Sequence, residues 1–278
     1  MIPLDRLDKW WPVLEESARC YLNEGEYKLF RAVPDDEKYA QLKDLLEKPI
    51  ARFTTINEVY FRARWAEVLQ AIHPQKELRL LEVASGDADM IPQTLHRTHP
   101  GGLYITANTN KKLTASLREK TRDLSVRVRV IEEDAARIGE TIGQDQVDCI
   151  AFQHAVNDVI QAILCEREGV DTIDSDWMET LPRMIQILQS EIRNNTFEQH
   201  SKVPFLNLIQ KLLLTLKKDG VMVMNHYLFQ LDLDWGYPPD LFENMLPMVR
   251  VWMQELPGCK EVHFDGYEPN WWLFYQKL

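Results

Sequence analysis

Along the first seventy-odd residues the apolar positions recur at helical spacing. Leu7, Trp10, Trp11, Leu14 and Ala18 share one face, and Tyr39–Glu47 and Asn57–Ile72 are two further amphipathic runs. The last of these carries Tyr60, Phe61, Trp65, Val68, Leu69 and Ile72 on a broad apolar face. Pro34 and Pro49 punctuate the runs, and His73-Pro74 closes the third, because a residue before proline is pushed out of the α region. From Leu78 the pattern changes. Short, almost continuous apolar runs predict strands at Leu78–Val83, Gly101–Ala107, Val126–Val130, Gln146–Phe152 and Val221–Tyr227. Between and after them, helical periodicity covers Met90–His96, Lys111–Lys120, Val159–Glu166, Trp177–Glu191, Pro204–Leu216 and 240–255. Lys217-Lys218-Asp219-Gly220 reads as a helix stop, with lysines in the last turn and glycine beyond. Lys260–Phe264 and Trp271–Tyr275 are two final strands around a turn at Asp265–Asn270. Strands alternating with helices predict an α/β fold with a largely parallel sheet.

The connection from about 159 to 205 is too long to be structureless and is expected to form a helical lid, with an acidic stretch at Asp171–Asp176. With 278 residues, the chain has room for one large α/β domain, or one domain with a helical cap. The expected division is a helical N-terminal cap over 1–75 and a main domain over 76–278 with the insertion at about 159–205. A formal net charge of −11 argues against a nucleic-acid duplex as main substrate, since phosphates need a basic face. Cys20, Cys149, Cys165 and Cys259 are scattered without metal-ligand spacing, which predicts reduced thiols in a cytoplasmic protein and no metal site. The first residues lack the apolar core of a signal peptide, and no run approaches a membrane span. The apolar N-terminal helices could pair between chains as a homodimer, or pack on their own sheet.

The chemistry concentrates around Leu78–Asp89, LRLLEVASGDAD. A buried strand stops there at a small-residue turn, Ala84–Ala88, and a helix follows. Such turns let backbone approach a ligand closely, and the next helix offers free N–H groups. Glu82, Asp87 and Asp89 add carboxylates. The run Glu82-Val83-Ala84-Ser85-Gly86-Asp87-Ala88 resembles the first motif of class I S-adenosylmethionine (SAM)-dependent methyltransferases, an acidic residue and then E/D-x-G-x-G. Gly86 stands where one motif glycine would, and Ala88 takes the place of the next.

The resemblance implies more along 75–278. It implies a Rossmann-like seven-stranded, mostly parallel sheet with an antiparallel last strand. It places SAM against Glu82, Ala84, Gly86 and Asp87, with Asn108 at the ribose, where the family usually has a carboxylate. Asp134 with Ala135 would meet the adenine amino group, although Asp134 reads equally as a helix N-cap. Phe152 would lie beside the cofactor. His154, Asn157 and Asp158 end the fourth strand facing the acceptor, so His154 is the candidate base and its neighbours orient it. Tyr60, His226, Tyr227 and Trp235 are candidate acceptor contacts, with Arg62 and Arg64 less favoured. No N/D-P-P-Y/F run or Pro-Cys pair follows the fourth strand, which counts against nucleic-acid amino- and cytosine-C5 methylation. The expected activity is methyl transfer from SAM to an O, N or C atom of a small molecule, without a metal or a membrane. Ala88 and Asn108 depart from the motif, so an inactive SAM-fold scaffold subunit is one alternative; a SAM-binding enzyme of rearrangement is the other.

Overall fold

The computed structural model describes residues 5–47, 50–74, 77–108, 111–172, 175 and 177–278. Pro49, the Thr109-Asn110 pair, and Asp174 and Asp176 of the acidic stretch lie outside the described residues. Helices α1 (Asp5–Trp10), α2 (Leu14–Tyr21), α3 (Glu24–Ala32) and α4 (Asp35–Glu47) lead through a short strand, β1 (Ile50–Ala51), to the long helix α5 (Thr55–Ile72). The expected single helix over Leu7–Ala18 is broken at Trp11–Val13, a 3-10 turn. Pro12 causes the break, because it has no N–H to give and fits only a first turn.

The α/β part runs β2 (Arg79–Val83), α6 (Met90–Thr98), β3 (Leu103–Ala107), α7 (Lys111–Thr121), β4 (Arg127–Ile131), α8 (Ile138–Ile142), β5 (Val147–Gln153) and α9 (Val156–Arg167). It continues with α10 (Trp177–Arg193), α11 (Phe197–Thr215), β6 (Leu216–Asn225), β7 (Leu228–Phe229), α12 (Gln230–Trp235), α13 (Pro239–Met253), β8 (Cys259–Val262) and β9 (Trp272–Lys277). The large sheet has the order β4-β3-β2-β5-β6-β9-β8 and is parallel except for β9, which is antiparallel to both β6 and β8. This is the mostly parallel, seven-stranded sheet with an antiparallel last strand that the resemblance implies.

The order reverses between β2 and β5, which pair directly, Glu82 opposite Ala151. At such a reversal the following helices leave to opposite faces and a crevice opens at the carboxyl ends. Alternation along the strands divides the core. Leu81, Val83, Ile150 and Phe152 face one cluster, shared with α9, α10, α11 and α13. Leu80, Tyr104, Cys149 and Ala151 face the other, shared with the N-terminal helices. Those helices bury their apolar faces on their own sheet, and Trp65 of α5 meets Trp272 of β9 edge-on at 5.1 Å between centroids.

Two boundaries differ from expectation. Helix α11 begins at Phe197, carries Pro204 inside it, and ends at Thr215. Leu216–Gly220 is then strand, not a helix stop: β6 starts at Leu216 opposite Val147 and resumes at Val221 opposite Cys149. The extra residues bulge around Asp219, whose φ of 62° takes the left-handed region. Helix α9 begins at Val156, so Asn157 and Asp158 sit in a first helical turn and not on the strand. The pair β1–β7, Ile50 with Leu228 and Ala51 with Phe229, clips the N-terminal segment to the loop after β6. Among the described residues no helix is long and apolar enough to cross a membrane.

Candidate active site

Strand β2 ends at Val83 and the chain turns through Ala84 (φ 54°) and Gly86 (φ 58°). The left-handed region costs glycine nothing and alanine on the order of 1 kcal/mol. The turn is tied down from three sides. The Asn108 amide donates to the Gly86 carbonyl at 2.7 Å, and the Ser85 and Thr106 hydroxyls meet at 2.9 Å. Lys120 of α7 donates to both the backbone carbonyl and the carboxylate of Asp87, each at 2.8 Å, and Ser116 donates to the same carboxylate at 2.9 Å. Burial alone would raise the Asp87 carboxyl, but the bonds from Lys120 and Ser116 outweigh it and hold the group below its ordinary value.

This turn opens on a cavity of about 1300 Å³. Of the residues singled out in the sequence, Ala84, Gly86, Asp87, Asn108, Asp134, Ala135, His154, Asn157, Asp158 and Trp235 line it. Asp134 serves as a cap as well, its Oδ1 accepting from the Ala136 N–H at 2.8 Å. The sequence reading missed three contributions to the wall. Arg52, Phe53, Asn57 and Glu58 come from the N-terminal region, Asn207 and Lys211 from α11, and Phe229, Asp232 and Tyr237 from the loop and short helix after β6. The β1–β7 pairing that brings Phe53 onto Phe229, with centroids 4.9 Å apart, is two residues long and has no periodicity to read. Glu58 is pushed up by burial, with Arg62 opposing and Asp89 and Glu26 adding to the rise.

At the end of β5 the cavity wall is polar. His154 sits at φ 53°, an uncommon conformation for a side-chain-bearing residue. Its Nδ1 accepts from the Tyr227 backbone N–H at 3.4 Å, and its Nε2 lies 3.6 Å from Asp232 Oδ2. Nε2 is the ring nitrogen that faces Asp232. Phe229 packs edge-on against this ring at 4.4 Å. One turn into α9, Asp158 accepts from the Asn157 amide at 2.9 Å. Burial pushes the Asp158 carboxyl up to about 6, and the nearby Asp232 carboxylate adds to the rise.

Five singled-out residues stand behind the wall. Phe152 is fully buried in the core. Tyr60 and Tyr227 are buried with their hydroxyls 3.5 Å apart, at the junction of α5 and the sheet. His226 is fully buried and stacked on His154 at 4.7 Å, and burial with the neighbouring His154 holds it well below its ordinary value, hence neutral. Glu82 is 1% exposed and accepts from the Tyr104 hydroxyl at 2.6 Å. Period-two alternation explains Glu82 and Phe152: both belong to strand stretches buried on both faces. Burial pushes Glu82 up to about 8. A carboxyl raised above its unfolded value keeps its proton in the fold where the unfolded chain has lost it. Stability should therefore fall as pH rises from about 4.5 to about 8, and Glu82→Gln should flatten the thermal-melting profile across that window.

No protein-family model and no curated protein matches the chain in sequence. Solved structures are similar in fold. A SAM-dependent methyltransferase from Aquifex aeolicus aligns over 76% of this chain and 87% of its own at 12% identity, TM-score 0.47. The CurJ carbon methyltransferase aligns over 100% of this chain and 71% of its own at 12% identity, TM-score 0.49. A putative rRNA methylase from Clostridium thermocellum aligns over 78% and 96% at 13% identity, TM-score 0.46. Likenesses this distant concern the fold alone, and a shared fold does not fix an acceptor. By its strand order and antiparallel final strand the chain has a Rossmann-like, seven-stranded α/β fold. Among the described residues no three His, Cys, Asp or Glu side chains form a group able to hold a metal ion.

Proposed function

We propose that this chain transfers a methyl group from SAM to a small-molecule acceptor. The observation that supports it most is a single cavity at the β2/β5 reversal that joins the tied-down Ala84–Ala88 turn to the polar His154–Asp158 end. Its volume exceeds the roughly 300–1,000 Å³ of ordinary small-molecule sites, which leaves room for a cofactor and a second molecule. SAM would supply an electrophilic methyl on a positively charged sulfur. The residues present suit that group. Ala84 and Gly86 bring backbone to the cavity surface, and Asp134 and Ala135, which the resemblance assigns to the adenine, line the same cavity. Asn108, which the resemblance assigns to the ribose, braces the loop through the Gly86 carbonyl. Acidic side chains outnumber basic ones on the wall, Glu58, Asp89, Asp158 and Asp232 among them, so the field favours a cation.

In this reading residues 1–75 act as a cap on the domain over 76–278, and the 159–205 insertion acts as a lid. Both exclude water and hold the reactants in line, the main service such a transfer needs. His154, held at Nδ1 by the Tyr227 N–H, braces the β6 loop beside Asp232, and in this reading the carboxylates are the proton acceptors. An acid-lined cavity on a chain of net charge −11 favours a small molecule over a nucleic acid. The cysteines are all free thiols, in keeping with a cytoplasmic site of action.

Calorimetric titration of SAM and S-adenosylhomocysteine into the purified protein tests the reading. Micromolar binding of both is expected. No heat and no change in melting temperature at millimolar ligand would rule methyl transfer out and favour the scaffold alternative.

A further inference from the structure

Resting on the methyl-transfer reading, we propose that the acceptor is an amine that enters as an ammonium cation and is held by Asp158, Asp232 and Asn157. Hydrogen-bond accounting at the acceptor end of the cavity carries this. Two donors there are taken: the Tyr237 hydroxyl donates to Gln161 at 2.8 Å and the Asn157 amide donates to Asp158. His154 Nε2 lies 3.6 Å from Asp232, and the buried Gln161 amide nitrogen, one turn along α9 from Asn157, has no partner among the described residues.

Three side chains with acceptor oxygens, Asn157, Asp158 and Asp232, line the cavity at this end. Asn157 is 8% exposed and lines the cavity, yet its Oδ1 has no hydrogen-bond partner among the described residues. Asp158 receives one N–H from Asn157, and Asp232 receives the Phe229 backbone N–H at 3.3 Å. A buried acceptor without a donor costs free energy until a ligand brings one. The sulfonium of SAM has no hydrogen to give, so it leaves the deficit in place. A hydroxyl brings a single donor and no charge. An ammonium is donor-only, carries up to three N–H bonds, and neutralises the facing carboxylates. Phe53, Phe229 and Tyr237 on the same wall offer ring faces to the cation and to an apolar body behind it.

The step balances without a further reagent. The ammonium gives one proton to the Asp158 carboxylate. The freed nitrogen lone pair forms the N–C bond while the C–S bond breaks, its pair staying on sulfur. The nitrogen regains its positive charge through the new bond, and Asp158 later releases the proton to water.

The test is calorimetric, with benzylamine, 2-phenylethylamine and hexylamine set against the matching alcohols, in protein with and without S-adenosylhomocysteine. The amines should bind at least about tenfold more tightly than their alcohols, as charge-assisted hydrogen bonds require. Asp158→Asn, which keeps the shape and the Asn157 bond, should shrink that preference to about twofold or less, and Asp232→Asn should do so in part; melting curves check that both variants fold. Alcohols binding as well as amines, no binding of any amine, or a preference untouched by Asp158→Asn would each overturn the proposal. S-adenosylhomocysteine binding without an amine preference would reject the amine and leave methyl transfer standing. An amine preference without S-adenosylhomocysteine binding would reject methyl transfer itself.

Discussion

Replacing Arg62 with alanine should lower the stability by about 3–5 kcal/mol, the usual cost of removing one partner from a buried ionic cluster. The Arg62 side chain is 3% exposed. Its guanidinium donates to the Tyr21 carbonyl at 2.8 Å and forks onto Glu26 at 3.0 and 3.1 Å. It also lies 3.3 Å from Glu58 and 3.9 Å from Asp89. Removing it leaves three carboxylates with no shared cation in a poorly solvated place. Glu58 and Asp89 are also on the cavity wall, so the loss reaches from α5 to the turn after β2. Urea unfolding should show a lower midpoint with an unchanged slope. Arg62→Lys should recover only part of the loss, because an ammonium cannot fork onto Glu26 and still reach Glu58. A loss within about 0.5 kcal/mol of wild type, the range of ordinary surface changes, would mean the cluster is solvated.

The second large effect is on binding. Gly86→Trp should weaken SAM and S-adenosylhomocysteine by at least about a hundredfold, or about 2.7 kcal/mol. Gly86 has φ 58°, lines the cavity, and hands its carbonyl to Asn108. A Cβ built there would have only ordinary contact with Leu113, at 3.7 Å, so the fold tolerates substitution apart from the left-handed strain of about 1–2 kcal/mol. The indole must then extend beyond that contact, into the space a ligand would take. Gly86→Ala carries the same strain without the bulk and should bind almost as wild type does. Equal loss in both variants would assign the effect to the backbone and not to occupancy of the cavity.

Much of the architecture was legible. Each large-sheet strand from β2 to β5 was expected to within a few residues, because buried parallel strands are short apolar runs between helical patterns. The turn at Ala84–Gly86 was visible because small residues between an apolar run and a helix mark where the backbone turns tightly or approaches a ligand. What failed to show was anything that depends on the third dimension. Lys217–Gly220 has the composition of a helix stop, yet β6 takes it up as a bulge against Val147 and Cys149. Glu82 looked like a ligand for a cofactor because it is a carboxylate near a turn, but the strand points it at Tyr104. Asp232 gave no signal at all: it follows a two-residue strand and becomes part of the site only because α12 folds back over His154. The N-terminal contributors, Phe53 and Glu58, arrive through the β1–β7 clip and the packing of α5, neither of which local sequence encodes.

A crystal structure of the protein with S-adenosylhomocysteine would test the central claim most directly. The account predicts the ligand in the cavity with its adenine by Asp134 and Ala135, its chain along Ala84–Gly86, and its sulfur turned toward Asp158 and His154. Ligand bound elsewhere on the molecule, or the adenine at the His154 end, would contradict it.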